Sequence, residues 1–240
     1  MKTLLPILAA LLLTACASAP ASTATPAPTE IPASTAETLT LEQKVGQLFI
    51  VRPDALDLTL SQETIDDPRA DGVTQVTDAM RETLQQYPVG GICQFGKNIE
   101  SPSQLAHFNK DLQAASATPL FITVDEEGGM VARLASNDAF DLPRYASAAA
   151  VGALGDPENA RAMGQTIGGY LKTYGFNMDF APDADVNTNP DNPIIGERAF
   201  SSDAATAAQM AAAAAEGLRQ NGILPTLKHF PGHGDTAEDS

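Results

Sequence analysis

Residues 119–124 of the chain read Pro-Leu-Phe-Ile-Thr-Val, and residues 125–127, Asp-Glu-Glu, follow them directly. A short run that is apolar along nearly its whole length is typical of a strand covered on both faces, as in a parallel sheet. The acidic residues then lie at the carboxyl end of that strand. The stretch therefore predicts a buried parallel strand that carries polar chemistry at one end.

Four further short apolar runs repeat this pattern, and segments with helical periodicity separate them. The predicted strands are residues 48–51, 89–95, 119–124, 177–181 and 223–227, and the predicted helices are a short one after a capping box formed by Thr40 and Gln43, then 72–86, 101–115, 157–174 and 203–221. Polar residues again follow the last two strands: Asp183 and Asp185 come after the fourth, and Lys228 and His229 come after the fifth.

Strands that alternate with helices and end in polar groups favour an α/β fold, a (β/α)8 TIM-type barrel with its active site at the carboxyl ends of the strands. No glycine-rich phosphate motif follows the first strand, which argues against a dinucleotide-binding sheet. A barrel has eight such units in about 250 residues, whereas the pattern supplies about five. We therefore expect residues 39–240 to form a barrel domain that is C-terminally truncated.

Composition narrows the function classes. The chain has 240 residues, of which 43% are hydrophobic and 18% charged, as in an ordinary soluble globular protein. A net charge of −16, from 14 basic and 30 acidic residues, argues against a nucleic-acid partner because phosphate binding needs a surplus of cations. Two cysteines exclude a disulfide-stapled scaffold, and the surroundings of Cys93 predict a buried small apolar side chain.

The first residues have the pattern of an export signal. A lysine precedes an apolar run of signal-peptide length, which ends in Leu-Thr-Ala and Cys16. This ending resembles a bacterial lipobox, so we expect a lipoprotein signal peptide over residues 1–15, a lipid on Cys16, and an exported protein anchored to a membrane at the cell surface or periplasmic face. The alternative is an ordinary secretory signal with an incidental cysteine. Residues 16–38, rich in Ala, Ser, Thr and Pro, predict a flexible tether.

Residues 228–236, Lys-His-Phe-Pro-Gly-His-Gly-Asp-Thr, form the densest chemical stretch and hold two of the three histidines. Loops of this kind at the end of a core strand usually carry function. One alternative is a turn with incidental polar residues. Another is a metal site, for which the acceptable ligands are His229, His233, Asp235 and Asp239. The four-residue histidine spacing lacks the helix that would place both rings on one face, so no metal is expected.

This stretch, together with Asp239-Ser240, resembles the signature of glycoside hydrolase family 3 in its β-N-acetylhexosaminidase branch. Residues 88–98, 124–133, 177–182 and 195–200 resemble further blocks of that family, so the resemblance runs in order from residue 40 to residue 240. It implies the N-terminal catalytic domain and retaining hydrolysis of terminal β-linked N-acetylglucosamine from cell-wall muropeptides or chitin-type oligosaccharides. It implies no cofactor and no protein partner.

The resemblance also implies roles for individual residues. The residues that would hold the terminal sugar are Asp125, Arg133, Arg198, Lys228 and His229, with His233 and Asp235 supporting the loop. Carboxylates suit pairs of hydroxyl groups, and cations suit sugar oxygens. The alternatives are a strand-end cap for Asp125, surface ion pairs for Arg133 and Arg198, and solvated charges for Glu126 and Glu127. Asp183 and Asp185 would orient loops or hold supporting hydrogen bonds.

In the family's pattern, Asp239 orients an acid/base histidine that would be residue 241, and the nucleophile lies on a later strand. A retaining glycosidase needs both groups. The 240 residues are therefore expected to hold the sugar-binding half of the site and to be inactive alone. The rival functions are a β-glucosidase or β-xylosidase of the same family, which the Gly-His-Gly loop and its Asp-Ser end disfavour, and a non-catalytic lipoprotein that binds wall glycans.

Overall fold

The computed structural model of the chain describes residues 39–239. Within this range the helices are α1 Leu41–Gly46, α2 Gln62–Asp66, α3 Asp78–Gln86, α4 Pro102–Ala115, α5 Ala148–Gly152, α6 Pro157–Thr173 and α7 Ala204–Gln220. The strands are β1 Ile50–Val51, β2 Gly91–Gln94, β3 Phe121–Val124, β4 Glu126–Gly128, β5 Val131–Ala132, β6 Met178–Asp179 and β7 Leu224–Pro225. The predicted signal peptide, the tether and Cys16 lie outside the described residues.

The five predicted strands form one parallel array in chain order. Strands β1, β2 and β3 pair in parallel, and so do β6 and β7. Backbone hydrogen bonds connect β3 to the segment of β6, from Asn177 N to Ile122 O at 3.1 Å and from Phe180 N to Val124 O at 2.9 Å. The α/β class and the five strand positions are thus confirmed. The described residues supply an open array of five strands and no closed barrel.

The central strands β2 and β3 are buried on both of their faces. All four residues of β2 are buried, and Ile122 and Val124 of β3 are fully excluded from solvent. Cys93, in β2, is 7% exposed, which confirms the buried side chain predicted for it, and it forms no disulfide within residues 39–239. The prediction that the apolar runs form buried parallel strands is therefore confirmed for β2 and β3.

Helices α6 and α7 approach each other closely beside β6 and β7, and small residues make this contact. A Cβ atom on Gly164 would lie 2.1 Å from the carbonyl oxygen of Ala214, and one on Gly217 would lie 2.2 Å from that of Arg161. Only glycine fits at such distances. The alanine-rich sequence of α7 is thus explained by packing, and the packed pair holds the two strands whose ends carry Asp183 and Lys228.

The helix ends follow the predicted caps with one correction. Thr40 and Gln43 form the expected capping box, with Gln43 N donating to Thr40 Oγ1 at 3.2 Å and Thr40 N donating to Gln43 Oε1 at 2.9 Å. The predicted helix 72–86 begins only at Asp78, where the Thr77 side chain caps it. Its first residues are held outside the helix, since both polar backbone groups of Val73 bond to side chains elsewhere.

The hairpin of β4 and β5 was not predicted. It forms because the buried Glu126 carboxylate accepts hydrogen bonds from the backbone N–H groups of residues 133–135 and from the Tyr170 hydroxyl at 2.8 Å. The short helices α2 and α5 were also missed, since neither is long enough to show periodicity. Within residues 39–239, none of the helices has both the length and the apolar character needed to cross a bilayer.

Candidate active site

Three segments that follow neighbouring strands meet at the carboxyl edge of the sheet. Asp125 directly follows β3, and Asp183 and Lys228, which follow β6 and β7, pair as an isolated parallel bridge. The Ala184 N–H donates to the Lys228 carbonyl at 2.7 Å, which fixes the two loops against each other. Arg198 reaches the same place from a 3-10 turn, Gly196–Arg198. The strand order therefore brings together residues up to 103 positions apart in the chain.

A compact set of ion pairs forms there. The Lys228 Nζ atom lies 2.6 Å from Asp125 Oδ1 and 2.6 Å from Glu127 Oε1. Arg198 binds Glu127 with two bonds, Nε to Oε2 at 2.9 Å and Nη2 to Oε1 at 2.8 Å. The side chain of Glu127 is 2% exposed and that of Asp125 is 20% exposed. Glu127 is therefore enclosed by two cations, whereas Asp125 keeps an oxygen accessible to a ligand.

The carboxylates of this cluster stabilise the charged form of Lys228. Burial by itself disfavours a charged Lys228, but the neighbouring Glu127 and Asp125 carboxylates outweigh it and raise the pKa of the ammonium above its ordinary value. For Asp183, in contrast, the surroundings favour the neutral form of the side chain. Burial raises its pKa to about 6, against a hydrogen bond from the Asp185 N–H and with help from the charges of Asp185 and Glu127.

His229 is held in one orientation by groups on both sides of its ring. Asp185 Oδ2 lies 2.7 Å from Nδ1, and Arg198 Nη2 lies 3.1 Å from Nε2. A guanidinium can only donate, so Nε2 must be the unprotonated acceptor. The proton then sits on Nδ1 and is donated to Asp185. Hydrogen-bond geometry thus assigns a neutral imidazole with a defined tautomer.

The metal alternative does not fit this arrangement. Among the described residues, the group close enough to share a cation is Asp183, Asp185 and His229, not the set considered from sequence. Asp183 Oδ2 is buried and has no hydrogen-bond partner within that part of the chain. However, the Nδ1 proton of His229 occupies the ligand position, and the Arg198 Nε atom lies 3.9 Å from Asp183 Oδ2. A cation there would displace the proton and face a guanidinium.

The loop after Lys228 is anchored by its own side chains. His233 is 8% exposed, with Nδ1 at 2.7 Å from Thr236 Oγ1, and its backbone N–H donates to Asp185 Oδ1 at 2.6 Å. Asp235 Oδ1 accepts from Thr188 Oγ1 at 2.8 Å. Asp239 Oδ1 lies 3.9 Å from His233 Nε2 at the end of the described chain. Asp185 therefore organises both histidines of the loop.

Four of the five residues predicted for ligand binding come together, and among the described residues the fifth makes no polar contact with them. Asp125, Arg198, Lys228 and His229 form one connected cluster. Among the described residues, the Arg133 guanidinium makes no hydrogen bond or ion pair with them, and its buried Nε has no hydrogen-bond partner. Arg133 instead lines a neighbouring cavity of about 480 Å³.

Sequence reasoning did not select Glu127 for the site, whereas it did expect Asp185 to orient a loop or hold supporting hydrogen bonds, and Asp185 bonds to both His229 and His233. The alternative that Glu126 and Glu127 are solvated charges is wrong, since they are 0% and 5% exposed. The alternative of a surface ion pair for Arg198 is also wrong, because its side chain is 10% exposed. The alternation of β-strand side chains could have found Glu127: in a strand, two consecutive residues point to opposite faces, so one glutamate enters the core and the other enters the site.

Comparisons with known proteins identify the family of the chain. The glycosyl hydrolase family 3 N terminal domain matches residues 40–240. Beta-hexosaminidase A of Pseudoalteromonas piscicida is 34% identical over 84% of this chain and 34% of its own length. Beta-hexosaminidase LpqI of Mycobacterium tuberculosis is 36% identical over 92% of this chain and 52% of its own length.

A solved structure is similar over the same region. The glycoside hydrolase family 3 beta-N-acetylglucosaminidase of Paenibacillus sp. str. FPU-7 superposes with a TM-score of 0.68 at 39% identity, covering 84% of this chain and 35% of that protein. The similarity supports a TIM-barrel-like α/β fold for the parallel array. The chain spans between a third and about half of the length of these relatives.

Proposed function

The chain belongs to glycosyl hydrolase family 3, and on that premise we propose that the protein hydrolyses terminal β-linked N-acetylglucosamine with retention of configuration. Its substrates are cell-wall muropeptides or chitin-type oligosaccharides. Relatives named beta-hexosaminidase and a neighbour named beta-N-acetylglucosaminidase support this choice over a β-glucosidase or β-xylosidase.

One observation carries the proposal. Four of the five residues that the family resemblance assigns to the terminal sugar, all except Arg133, converge at the carboxyl edge of a parallel sheet, where such folds hold their substrates. Lys228 lies against Asp125, and Arg198 lies against His229. A chain with the same motifs but a different fold would not bring these side chains together.

The geometry suggests what each group does. A carboxylate accepts from two hydroxyl groups of a sugar, and the partly exposed Asp125 is placed to do so. Lys228 and Arg198 carry donors that stay charged, and His229 has a fixed ring beside them. Glu127 and Asp185 hold these donors in position, so a ligand meets a site that is already ordered.

A retaining mechanism needs a carboxylate nucleophile and an acid/base group. The resemblance places both after Ser240 and gives Asp239 the role of orienting the acid/base histidine. We therefore propose that residues 40–240 supply the sugar-binding part of an eight-stranded barrel. Asp239 stands next to the loop that His233 anchors, which suits a positioning role.

The complete gene product tests the activity. It should hydrolyse an aryl N-acetyl-β-glucosaminide faster than the corresponding β-glucoside or β-xyloside, and the β-anomer should be released first. The Asp125→Asn variant should lose about hundredfold in kcat/KM, because sugar hydroxyls and Lys228 lose a charged partner. Asp138→Asn, an exposed change on another loop, is the matched control. Preference for the glucoside, or normal kinetics of Asp125→Asn, would contradict the proposal.

We also propose that the protein is exported and anchored through a lipid on Cys16. The Leu-Thr-Ala-Cys ending of the apolar run and the Pro- and Ser-rich segment behind it support this. Mass spectrometry of the mature N-terminus decides the point. A peptide that begins at a diacylated Cys16 is expected, and an unmodified N-terminus elsewhere would leave a secreted protein without this anchor.

A further inference from the structure

Asn192 is buried in the loop between β6 and α7, although its two neighbours in the sequence are exposed. Its exposed fraction is 7%. It belongs neither to the ion-pair cluster nor to the apolar core, and the function proposed above gives it no role. Burying an amide without hydrogen bonds is unfavourable, so its partners must explain why it lies there.

The Asn192 amide uses both its acceptor and its donor side. Its oxygen, Oδ1, accepts from the N–H groups of Ile194 at 2.9 Å and Ile195 at 2.7 Å. Its nitrogen, Nδ2, donates to the His233 carbonyl at 2.8 Å and to Thr236 Oγ1 at 3.3 Å. An amide has two acceptor positions and two donor hydrogens, so all four are occupied. Because backbone N–H groups donate and carbonyls accept, the orientation of the amide is fixed.

The acceptor side of Asn192 leads to Arg198. Ile195 directly precedes the 3-10 turn that ends in Arg198, and the Arg198 N–H donates to the Ile195 carbonyl at 2.8 Å. The Ile194 carbonyl accepts from Arg198 Nη1 at 3.3 Å. The Ile194 carbonyl and the Ile195 N–H belong to one planar peptide unit. Asn192 therefore binds one side of that unit and the Arg198 guanidinium binds the other.

The donor side of Asn192 leads to the loop that ends in Asp239. Asp185 already binds this loop through the His233 N–H. Asn192 binds the His233 carbonyl and, three residues further along, the Thr236 side chain. Thr236 is itself only three residues before Asp239. Asn192 thus holds the part of the loop that leads to Asp239.

The two loops also contact each other beside Asn192. The Asn189 N–H donates to the Gly234 carbonyl at 3.2 Å, and Asn189 Nδ2 donates to the Thr236 carbonyl at 3.0 Å. A Cβ atom on Gly234 would lie 1.9 Å from the Val186 carbonyl oxygen, so the backbones approach as closely as glycine permits. The segment 186–195 therefore forms a support for the loop, and Asn192 connects that support to the Arg198 turn.

We propose that Asn192 is a positioning residue that fixes the loop of residues 229–239 relative to Arg198, an inference that rests on the function proposed above. In that function Arg198 binds the terminal sugar and Asp239 orients the acid/base group. A general acid must lie within hydrogen-bond reach of the oxygen that it protonates. Asn192 contacts neither the sugar nor the acid, but its amide sets the distance between the groups that do.

Asn192→Asp separates the two sides of the amide. The carboxylate keeps the acceptor for Ile194 and Ile195, but it has no donor hydrogen and faces the His233 carbonyl oxygen. The Arg198 turn should stay in place while the loop is released. Asn192→Ser, which keeps a short acceptor for the turn and cannot reach the loop, serves if the first variant does not fold. Asn159→Asp, the same change at an exposed position in α6, is the matched control.

The complete gene product is assayed on two N-acetyl-β-glucosaminides that differ in their leaving group. A 2,4-dinitrophenolate departs without a proton, whereas methanol departs only with help from the general acid. Asn192→Asp should therefore lose about tenfold or more in kcat/KM on the methyl glycoside and less than about threefold on the dinitrophenyl glycoside. A variant that merely lowers the amount of folded enzyme loses the same factor on both.

Binding is measured separately by calorimetric titration of the 240-residue chain with N-acetylglucosamine. The affinity of Asn192→Asp should stay within about twofold of the unaltered chain, because the bonds of Arg198 and Lys228 to Glu127 do not involve Asn192. A loss of affinity as large as the loss of kcat/KM on the methyl glycoside would overturn the positioning role.

The outcomes separate this inference from the proposed function. A loss in kcat/KM that is no larger on the methyl than on the dinitrophenyl glycoside would overturn the role of Asn192 and leave the proposed function standing. Failure of the unaltered gene product to hydrolyse either glycoside would overturn the proposed function and this inference together.

Discussion

Arg198 and Glu127 form a two-bond ion pair, with Nε 2.9 Å from Oε2 and Nη2 2.8 Å from Oε1. Glu127 also receives the ammonium of Lys228 at 2.6 Å, so a single buried carboxylate positions two cations. The positions of the Arg198 and Lys228 side chains therefore depend on Glu127, which is almost fully buried. This relationship explains why the cations point toward Asp125 and His229 before any ligand is present.

Glu127→Gln should destabilise the protein and disorder the site. The change leaves two buried cations without their carboxylate, which typically costs about 3 kcal/mol or more. Urea denaturation measures the loss. Glu158→Gln, which removes the exposed partner of Arg161, should cost about 0.5 kcal/mol or less. Similar effects of the two substitutions would show that Glu127 does not organise the cluster.

The His229 tautomer is a second prediction. Nitrogen NMR of the folded chain should show a neutral ring with its proton on Nδ1, because Asp185 accepts there and Arg198 donates to Nε2. Asp185→Asn should remove this preference and weaken N-acetylglucosamine binding by about tenfold, since an unpaired donor costs about 1–3 kcal/mol. A proton on Nε2 in the unaltered chain would contradict the assignment.

The sequence was sufficient for the strands and the main site residues because their signals are local. Continuous apolar runs located all five strands of the parallel array, and Asp125 and Lys228 were found at strand ends. The hairpin of β4 and β5 could not be found, since it depends on Tyr170 and three backbone N–H groups gathering around Glu126. That the Arg133 side chain makes no polar contact with the cluster likewise depends on tertiary packing, which no local pattern encodes.

Asp179 should make the stability of the folded protein depend on pH. It is fully buried, and burial raises its pKa well above the ordinary value, with a further contribution from the Glu126 charge against a hydrogen bond from the Glu126 N–H. The native state therefore keeps the proton that the unfolded chain releases near about pH 4. Stability must fall as pH rises from that point toward the folded-state pKa.

Asp179→Asn removes this cost. The variant's stability relative to the unaltered protein should increase between about pH 4 and about pH 7, as followed by urea denaturation at each pH. Asp138→Asn, the same substitution at an exposed position, is the matched control. A constant destabilisation by Asp179→Asn across this range would mean that the native carboxyl is ionised.

Cys93 should be chemically inert while the protein is folded. Burial raises the pKa of its thiol to about 12, with the Asp125 charge adding to the effect, so almost no thiolate exists at neutral pH. Labelling of the Cys93 thiol by iodoacetamide at about pH 8, followed by mass spectrometry of the peptide that contains it, should be negligible in buffer and rapid in urea. Labelling of the native protein at the rate of the unfolded chain would show that the sheet opens at β2.

The central claim is that Asp125, Arg198, Lys228 and His229 form a binding site for N-acetylglucosamine. An NMR titration of the 240-residue chain with N-acetylglucosamine tests it most directly. Separate titrations with glucose and with xylose are the comparison. We predict saturable shifts of the signals of these four residues, a weaker response to glucose, and loss of the response in Lys228→Met. Shifts confined to another surface, or equal responses to the three sugars, would contradict the claim.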